Sequence, residues 1–310
     1  MELNSSIYTV AIPGTCGELV QGWSADWDEP VLVSCPVALF NRVSIQLTAG
    51  PDILLPTVSG SYYKLKKAAR LLLNYLGHPE LGAQVYLNNQ LQPGKGMASS
   101  TADVVGVMVA LATALGHAIS PGELAQLACQ VEPSDSTMFA NLTMLAYRGS
   151  AQYLELGPAP TLPLLMLDTG QAVDTLTYNA RLNLAAVRKL AQNTAEAVKI
   201  LKLGLVSNDA GMIGAAATLS ALSYQTVNHN PLIDQAVQWA SETSAAGLVR
   251  AHSGSVAGLL YPANTDLTDL EYWLKTRFKG RIWQTYLTRG SHLLIDEQPW
   301  PQLMEVSAVL

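Results

Sequence analysis

Hydrophobic positions divide the chain into short alternating runs and longer helical stripes. Ile7 to Ile12 and Val31 to Leu47 are rich in Val, Ile and Leu with turn residues between them, which predicts strands. Gln84-Val85-Tyr86-Leu87-Asn88 alternates polar and apolar as a half-buried strand does. Tyr62 to Leu76 carries an amphipathic helical pattern that stops at Gly77, and a strongly apolar helix runs from the serines at 99 and 100 to Gly116. Ser120-Pro121-Gly122-Glu123 opens the next helix with cap, N1 proline and N3 glutamate in order. Pro133 requires that helix to stop near Val131.

Further along, Leu164 to Asp168 predicts a buried strand, and Leu184 to Leu203, Asp209 to Leu222 and Leu232 to Ser244 predict helices. Val249 to Tyr261 reads as strand–loop–strand broken at Ser253-Gly254-Ser255, with further strands at Ile282 to Leu287 and His292 to Ile295. The run Leu156-Gly157-Pro158-Ala159-Pro160 marks a domain boundary, giving units 1–157 and 158–310. Both halves mix strands and helices without strict alternation, which points to an α+β fold. The chain shows no internal repeat and no low-complexity segment.

Composition narrows the function. With 310 residues and 49% hydrophobic positions, the chain can bury a sizeable core in one large or two medium domains. Net charge is −6 and no basic cluster occurs, which argues against nucleic acid or an anionic membrane as partner. An anionic ligand must then be held by backbone N–H groups, a metal ion and a few local side chains. Cys16, Cys35 and Cys129 are odd in number and widely spaced, so a zinc site or disulfide framework is not expected and a reducing compartment is. The first six residues lack a signal-peptide pattern, and Val104 to Leu115 falls short of the ~20 residues a bilayer requires. The expectation is a soluble cytoplasmic protein.

The densest chemistry lies in Pro93-Gly94-Lys95-Gly96-Met97-Ala98-Ser99-Ser100-Thr101-Ala102-Asp103. Glycines let backbone approach a ligand closely, and a helix start offers unpaired N–H groups with the positive end of the dipole. This predicts a phosphate cradle. A simpler reading makes Ser100 and Asp103 a capping box, and the two are compatible. Lys95 lies between the glycines and Ser99 takes the place of a third glycine, so neither common nucleotide-loop pattern applies.

Three more clusters carry candidates. Pro13-Gly14-Thr15-Cys16-Gly17-Glu18 is a tight turn, plain or facing a ligand, with Cys16 as a packed thiol. Glu132-Pro133-Ser134-Asp135-Ser136-Thr137 holds two carboxylates three residues apart. One suits ligation of Mg²⁺ and the other suits orienting or deprotonating a hydroxyl; alternatively Asp135 caps a helix over Ser136 to Leu145. Ala251-His252-Ser253-Gly254-Ser255-Val256-Ala257-Gly258 implies close backbone approach to a ligand or another strand. No G-x-S-x-G elbow occurs, which sets aside Ser-His-Asp hydrolysis. His78, His117, His229 and His292 lack metal-ligand spacing.

In this order the four clusters resemble the GHMP kinases, whose central loop P-x-x-x-G-L-G-S-S-A is similar to Pro93 to Ala102. The departures are a proline one residue closer, with Met97, Ala98 and Thr101 in place of leucine, glycine and alanine. A closer likeness is to the L-threonine kinases of cobalamin biosynthesis, found with propanediol-utilisation genes. It rests on Cys16-Gly17-Glu18 with Gln21-Gly22-Trp23, Ser34-Cys35-Pro36, Ala98 to Asp103, Glu132 to Thr137, and Ala251 to Val256. The resemblance implies transfer of phosphate from ATP, with Mg²⁺, to the hydroxyl of L-threonine. It also implies a ribosomal S5-like N-terminal lobe, a ferredoxin-like C-terminal lobe and an active site between them.

By the same resemblance, Pro93, Gly94, Lys95, Gly96, Met97, Ala98, Ser99, Ser100 and Thr101 cradle the nucleotide. Ser100 and Glu132 hold the metal, and Asp135 is the catalytic aspartate. Cys16, Gly17, Glu18, His252, Ser253, Gly254 and Ser255 lie beside the acceptor, where Arg42 and Arg250 are further candidates. Many relatives carry a lysine in the first motif where this chain has Thr15, so Asp135 serves as base or as orienting group. Alternatives are another small hydroxy amino acid, such as homoserine or serine, and a non-catalytic ligand sensor.

Overall fold

The structure is a computed structural model that describes residues 6–56, 62–171 and 182–291 and the backbone of 293–295. Met1 to Ser5 and His292 lie outside the described residues. Strands are β1 (Ile7–Ser24), β2 (Glu29–Ala49), β3 (Ile53–Leu54), β4 (Leu81–Asn89), β5 (Asn141–Leu145), β6 (Tyr153–Pro158), β7 (Leu162–Asp168), β8 (Gly247–Arg250), β9 (Val256–Leu260), β10 (Arg281–Leu287) and β11 (Leu293–Ile295). Helices are α1 (Tyr63–Tyr75), α2 (Ser99–Ala114), α3 (Pro121–Val131), α4 (Leu184–Arg188), α5 (Ala191–Ser207), α6 (Ala210–Tyr224), α7 (Pro231–Glu242) and α8 (Thr268–Lys275). The α+β expectation holds.

One sheet runs β11-β1-β8-β9-β7-β10-β2-β4-β3, with β1 also paired to β2, and β5 bridging β2 to β6. β1 and β2 are long enough to pair with elements from both ends of the chain. The Pro13 to Glu18 cluster is not a β-turn: β1 continues through it, with register shifts against β2 between Pro13 and Thr15, Thr15 and Glu18, and Glu18 and Val20. Such irregularities re-aim side chains. Here they bring Glu18 opposite Arg250 of β8.

Helix α2 packs on β1 and β2 and touches α1 and α3, which also meet each other. It is apolar on all sides, and eleven of its residues are buried. The main core extends from Val10 through Met108 to Leu287, so it draws on the whole chain. A second cluster gathers Leu165, Ile233, Trp239 and Leu274 behind β7 and β9.

Two elements differ from expectation. The helix expected over Leu184 to Leu203 is broken into α4 and α5, because Leu190 turns into a small core with Trp23, Val187 and Tyr224. No helix follows Asp135: Asn141–Leu145 is strand β5, bonded to Leu32 and Val33 of β2 and to β6. Pairing on both sides outweighs the local cap signal. Among the described residues no helix is long and apolar enough to cross a membrane.

Candidate active site

The glycine loop leaves β4 at Asn89 and enters α2 at Ser99. The N-cap is Ala98, in the left-handed region at φ 56°, and no side chain caps the helix start. The Ser100–Asp103 capping box therefore does not form. Asp103 instead accepts from Asn41 Nδ2 at 2.9 Å and from Asn89 Nδ2 at 3.1 Å. Asn41 Oδ1 in turn takes the Leu91 N–H at 3.0 Å, which ties the loop entry to β2. Burial pushes the Asp103 carboxyl up to about 7, against the pull of the two amides.

Carbonyls of the loop are held by the first and last motifs. Met97 O accepts from Thr15 N at 3.0 Å, Gly96 O from Gly17 N at 3.1 Å, and Lys95 O from Ser255 N at 3.1 Å and Val256 N at 3.3 Å. A Cβ on Gly254 would stand 2.1 Å from Lys95 O, and one on Gly17, at φ +62°, would stand 2.3 Å from Arg250 O. Only glycine allows this stacking of β1, the loop and the β8–β9 turn.

The Lys95 side chain leaves the loop for the C-terminal half. Its ammonium lies 3.3 Å from Asp168 Oδ2 and donates to Gln171 O at 3.1 Å. Asp168 Oδ1 accepts from Ser255 Oγ at 2.5 Å and Gly170 N at 2.9 Å. The contact with Lys95 is ionic, since Oδ2 receives no hydrogen bond.

At the other edge of the loop, Ser100 Oγ donates to Glu132 Oε1. Lys64 of α1 reaches the same pair, 2.5 Å from Glu132 Oε2 and 3.3 Å from Ser100 Oγ. Thr101 Oγ1 donates to Asp135 Oδ2 and accepts from Asp135 N, both at 3.2 Å. Ser34 Oγ donates to Asp135 Oδ1 at 3.2 Å, and the segment is pinned by Ser34 N to Ser136 Oγ and Ser136 N to Ser34 Oγ. Both acids of the Glu132 cluster thus face the first turn of α2. Burial, then the nearby charge of Glu18, holds the Asp135 carboxyl well above the usual range, partly offset by its hydroxyl donors.

Glu18 and His252 form the third side. Glu18 Oε2 accepts from His252 N at 3.1 Å and lies 2.7 Å from His252 Nδ1. Burial raises the Glu18 carboxyl, and burial and Arg250 together keep the imidazole neutral. A neutral ring with its proton on Nδ1 satisfies this pair and leaves the buried Nε2 as an acceptor with no hydrogen bond. Arg250 is fully buried, donating to Gln225 Oε1 at 2.6 Å and to Asn228 O, over the Tyr224 ring. Cys16 and Cys35 are buried free thiols whose ionisation burial suppresses, as expected of packed cysteines.

Sequence reasoning missed Lys64, Asn41 and Asp168. Lys64 lies in Lys64-Leu65-Lys66-Lys67, a short basic cluster that the sequence reading passed over because it looks like the polar face of any amphipathic helix. Asp168 left one clue, a charge closing the apolar strand Leu164 to Asp168.

Residues 64–147 match the GHMP kinases N terminal domain. Over 290 residues the chain is 33% identical to an L-threonine kinase of Salmonella typhimurium, covering 91% of each. It belongs to the GHMP kinase family. An L-threonine kinase of Citrobacter freundii is 31% identical over 272 residues, covering 87% of this chain and 92% of that one. The fold agrees: a solved homoserine kinase from Cytophaga hutchinsonii superposes with a TM-score of 0.70 at 16% identity, over 95% of this chain and 99% of that one. This GHMP kinase is a phosphotransferase with an alcohol acceptor, and ATP is the family's phosphate donor.

Proposed function

We propose that this chain transfers the γ-phosphoryl group of ATP to the hydroxyl of L-threonine, giving O-phospho-L-threonine and ADP for cobalamin synthesis. The observation that carries it is the convergence of Ser100, Thr101, Glu132 and Asp135 on the uncapped start of α2. Likeness to two L-threonine kinases over most of the chain supports the choice of acceptor.

The loop from Pro93 to Thr101 takes the triphosphate, with backbone amides at the helix start facing its charge. Among the described residues no cluster of three or more His, Cys, Asp or Glu could hold a metal. Ser100 Oγ and Glu132 Oε1 nevertheless fit Mg²⁺, which is content with one or two protein oxygens beside phosphates and water. When bound, Mg²⁺ neutralises charge on the phosphates.

Asp135 accepts or orients the proton of the threonine hydroxyl. As that oxygen bonds to the γ-phosphorus, the bond to the bridging oxygen breaks and ADP leaves. A carboxyl raised toward neutrality is matched to such proton transfer. Cys16, Gly17, Glu18 and His252 to Ser255 bound the acceptor space, with the lobes taken as residues 1–157 and 158–310. Three free thiols support a reducing cytoplasmic setting.

A coupled ADP-release assay across threonine, homoserine and serine tests the reading. Threonine should give the highest kcat/KM. Serine lacks threonine's methyl, worth about 1–3 kcal/mol in a fitted pocket, and homoserine is its isomer with the hydroxyl one carbon further out; either in first place would reassign the acceptor. Threonine binding with no ATP consumed would indicate a sensor.

A further inference from the structure

We propose that Lys64 is a catalytic residue of this site, whose ammonium binds the phosphate chain of the nucleotide beside the start of α2. The inference rests on the ATP-dependent kinase reading above and adds to it a cation that no sequence motif marks.

Position is the first argument. Lys64 Nζ contacts Glu132 Oε2 at 2.5 Å and Ser100 Oγ at 3.3 Å, so it stands over the helix start where an anion is favoured. Its side chain is 33% exposed, against 6% for Glu132, so the ammonium can pivot on its flexible stem while the acid stays in place.

Charge is the second. Glu18 and Glu132 are buried acids and Asp135 a half-buried one around this space, and a polyphosphate brought among them needs positive charge nearby. The neighbouring cations are held elsewhere. Lys95 is buried against Asp168 and Gln171 O, Lys67 donates to the last carbonyls of α3 at Gln130 and Val131, and Arg250 donates to Gln225 and Asn228. Among the described residues, Lys64 is the lysine on the Ser100–Glu132 pair.

The third argument is a broken local rule. Lys64 sits in the first turn of α1, where the dipole disfavours a cation, with no acid in that turn and no side-chain cap at Tyr62. Placement against local preference is the mark of a functional residue.

The test is nucleotide titration by calorimetry in EDTA, where the protein's own cations carry the effect, followed by turnover with Mg²⁺. Lys64→Met should weaken ATP and ADP about 10- to 100-fold, the range of a charged hydrogen bond, while AMP is unaffected. Lys64→Arg should keep most of the ATP affinity. Lys64→Gln can still donate to Glu132, so it serves with the same expectation if the methionine variant does not fold. Wild-type affinity for ATP in both uncharged variants would overturn the proposal, as would an equal loss for AMP, which would mark a structural role. A wild-type chain that binds no ATP and turns none over when Mg²⁺ is restored would instead overturn the kinase reading itself.

Discussion

Two lysine–carboxylate pairs flank the glycine loop, and they differ in how far water reaches them. Lys95 and Asp168 are 9% and 1% exposed, and Asp168 is further fixed by Ser255 and Gly170. Lys64 and Glu132 are 33% and 6% exposed, and among the described residues the partner they share is the Ser100 hydroxyl. The first pair is sealed and ties the loop to β7, so losing either member strands a charge in low dielectric. The second opens to solvent at the lysine, so the ammonium can leave the acid for water. Similar chemistry thus gives a latch on one side and an adjustable contact on the other.

The largest effect should come from the open side. Asp135→Asn should slow turnover about 10²- to 10⁴-fold with unfolding unchanged, measured as kcat and by thermal melting. Full activity in that variant would remove Asp135 from the chemistry and blur the contrast.

On the sealed side the expected effect is on stability. Asp168→Ala should cost about 3–5 kcal/mol in urea unfolding, since Lys95 is left buried and unpaired. The double variant Lys95→Met/Asp168→Leu should recover most of that loss. A single variant as stable as wild type would mean that the latch is not closed in solution.

A smaller effect concerns pH. The folded Asp103 carboxyl, at about 7 against an ordinary 3.8, keeps a proton that the unfolded chain has released between those values. That contribution is present at acid pH and is lost as pH rises through about 7. Relative to Asp103→Asn, the wild type should therefore lose about 1–2 kcal/mol of unfolding free energy between pH 5 and 8, allowing for partial solvent screening. Glu18, Asp135 and His252 remain in both proteins and cancel. Parallel curves would place Asp103 in the ordinary range.

The smallest effect sharpens the comparison directly. Lys64→Met should change stability by less than about 1 kcal/mol, because its partner keeps the Ser100 hydroxyl and the lysine is partly solvated. A loss as large as that of Asp168→Ala would make both pairs latches.

Local signals were legible where neighbours in sequence supply the physics. The Ser120 capping box forms as read, with Ser120 Oγ accepting from Glu123 N, and α3 stops at Val131 ahead of Pro133. The same kind of signal failed at Ser100–Asp103 and at Asp135. In both places a distant partner offered more: Asn41 and Asn89 for Asp103, and the paired strand β5 for the segment after Asp135.

By itself the sequence determined that a glycine-rich loop leads into an apolar helix, which thiols stay packed and where most helices and strands run. Periodicity, capping and glycine content act within a few residues, so they are readable along the chain. Tertiary structure alone decided that Lys64 reaches Glu132, that Lys95 turns to Asp168 and that Glu18 meets His252. Those partners are 68, 73 and 234 positions apart, and only packing around a shared core brings such side chains within bonding distance.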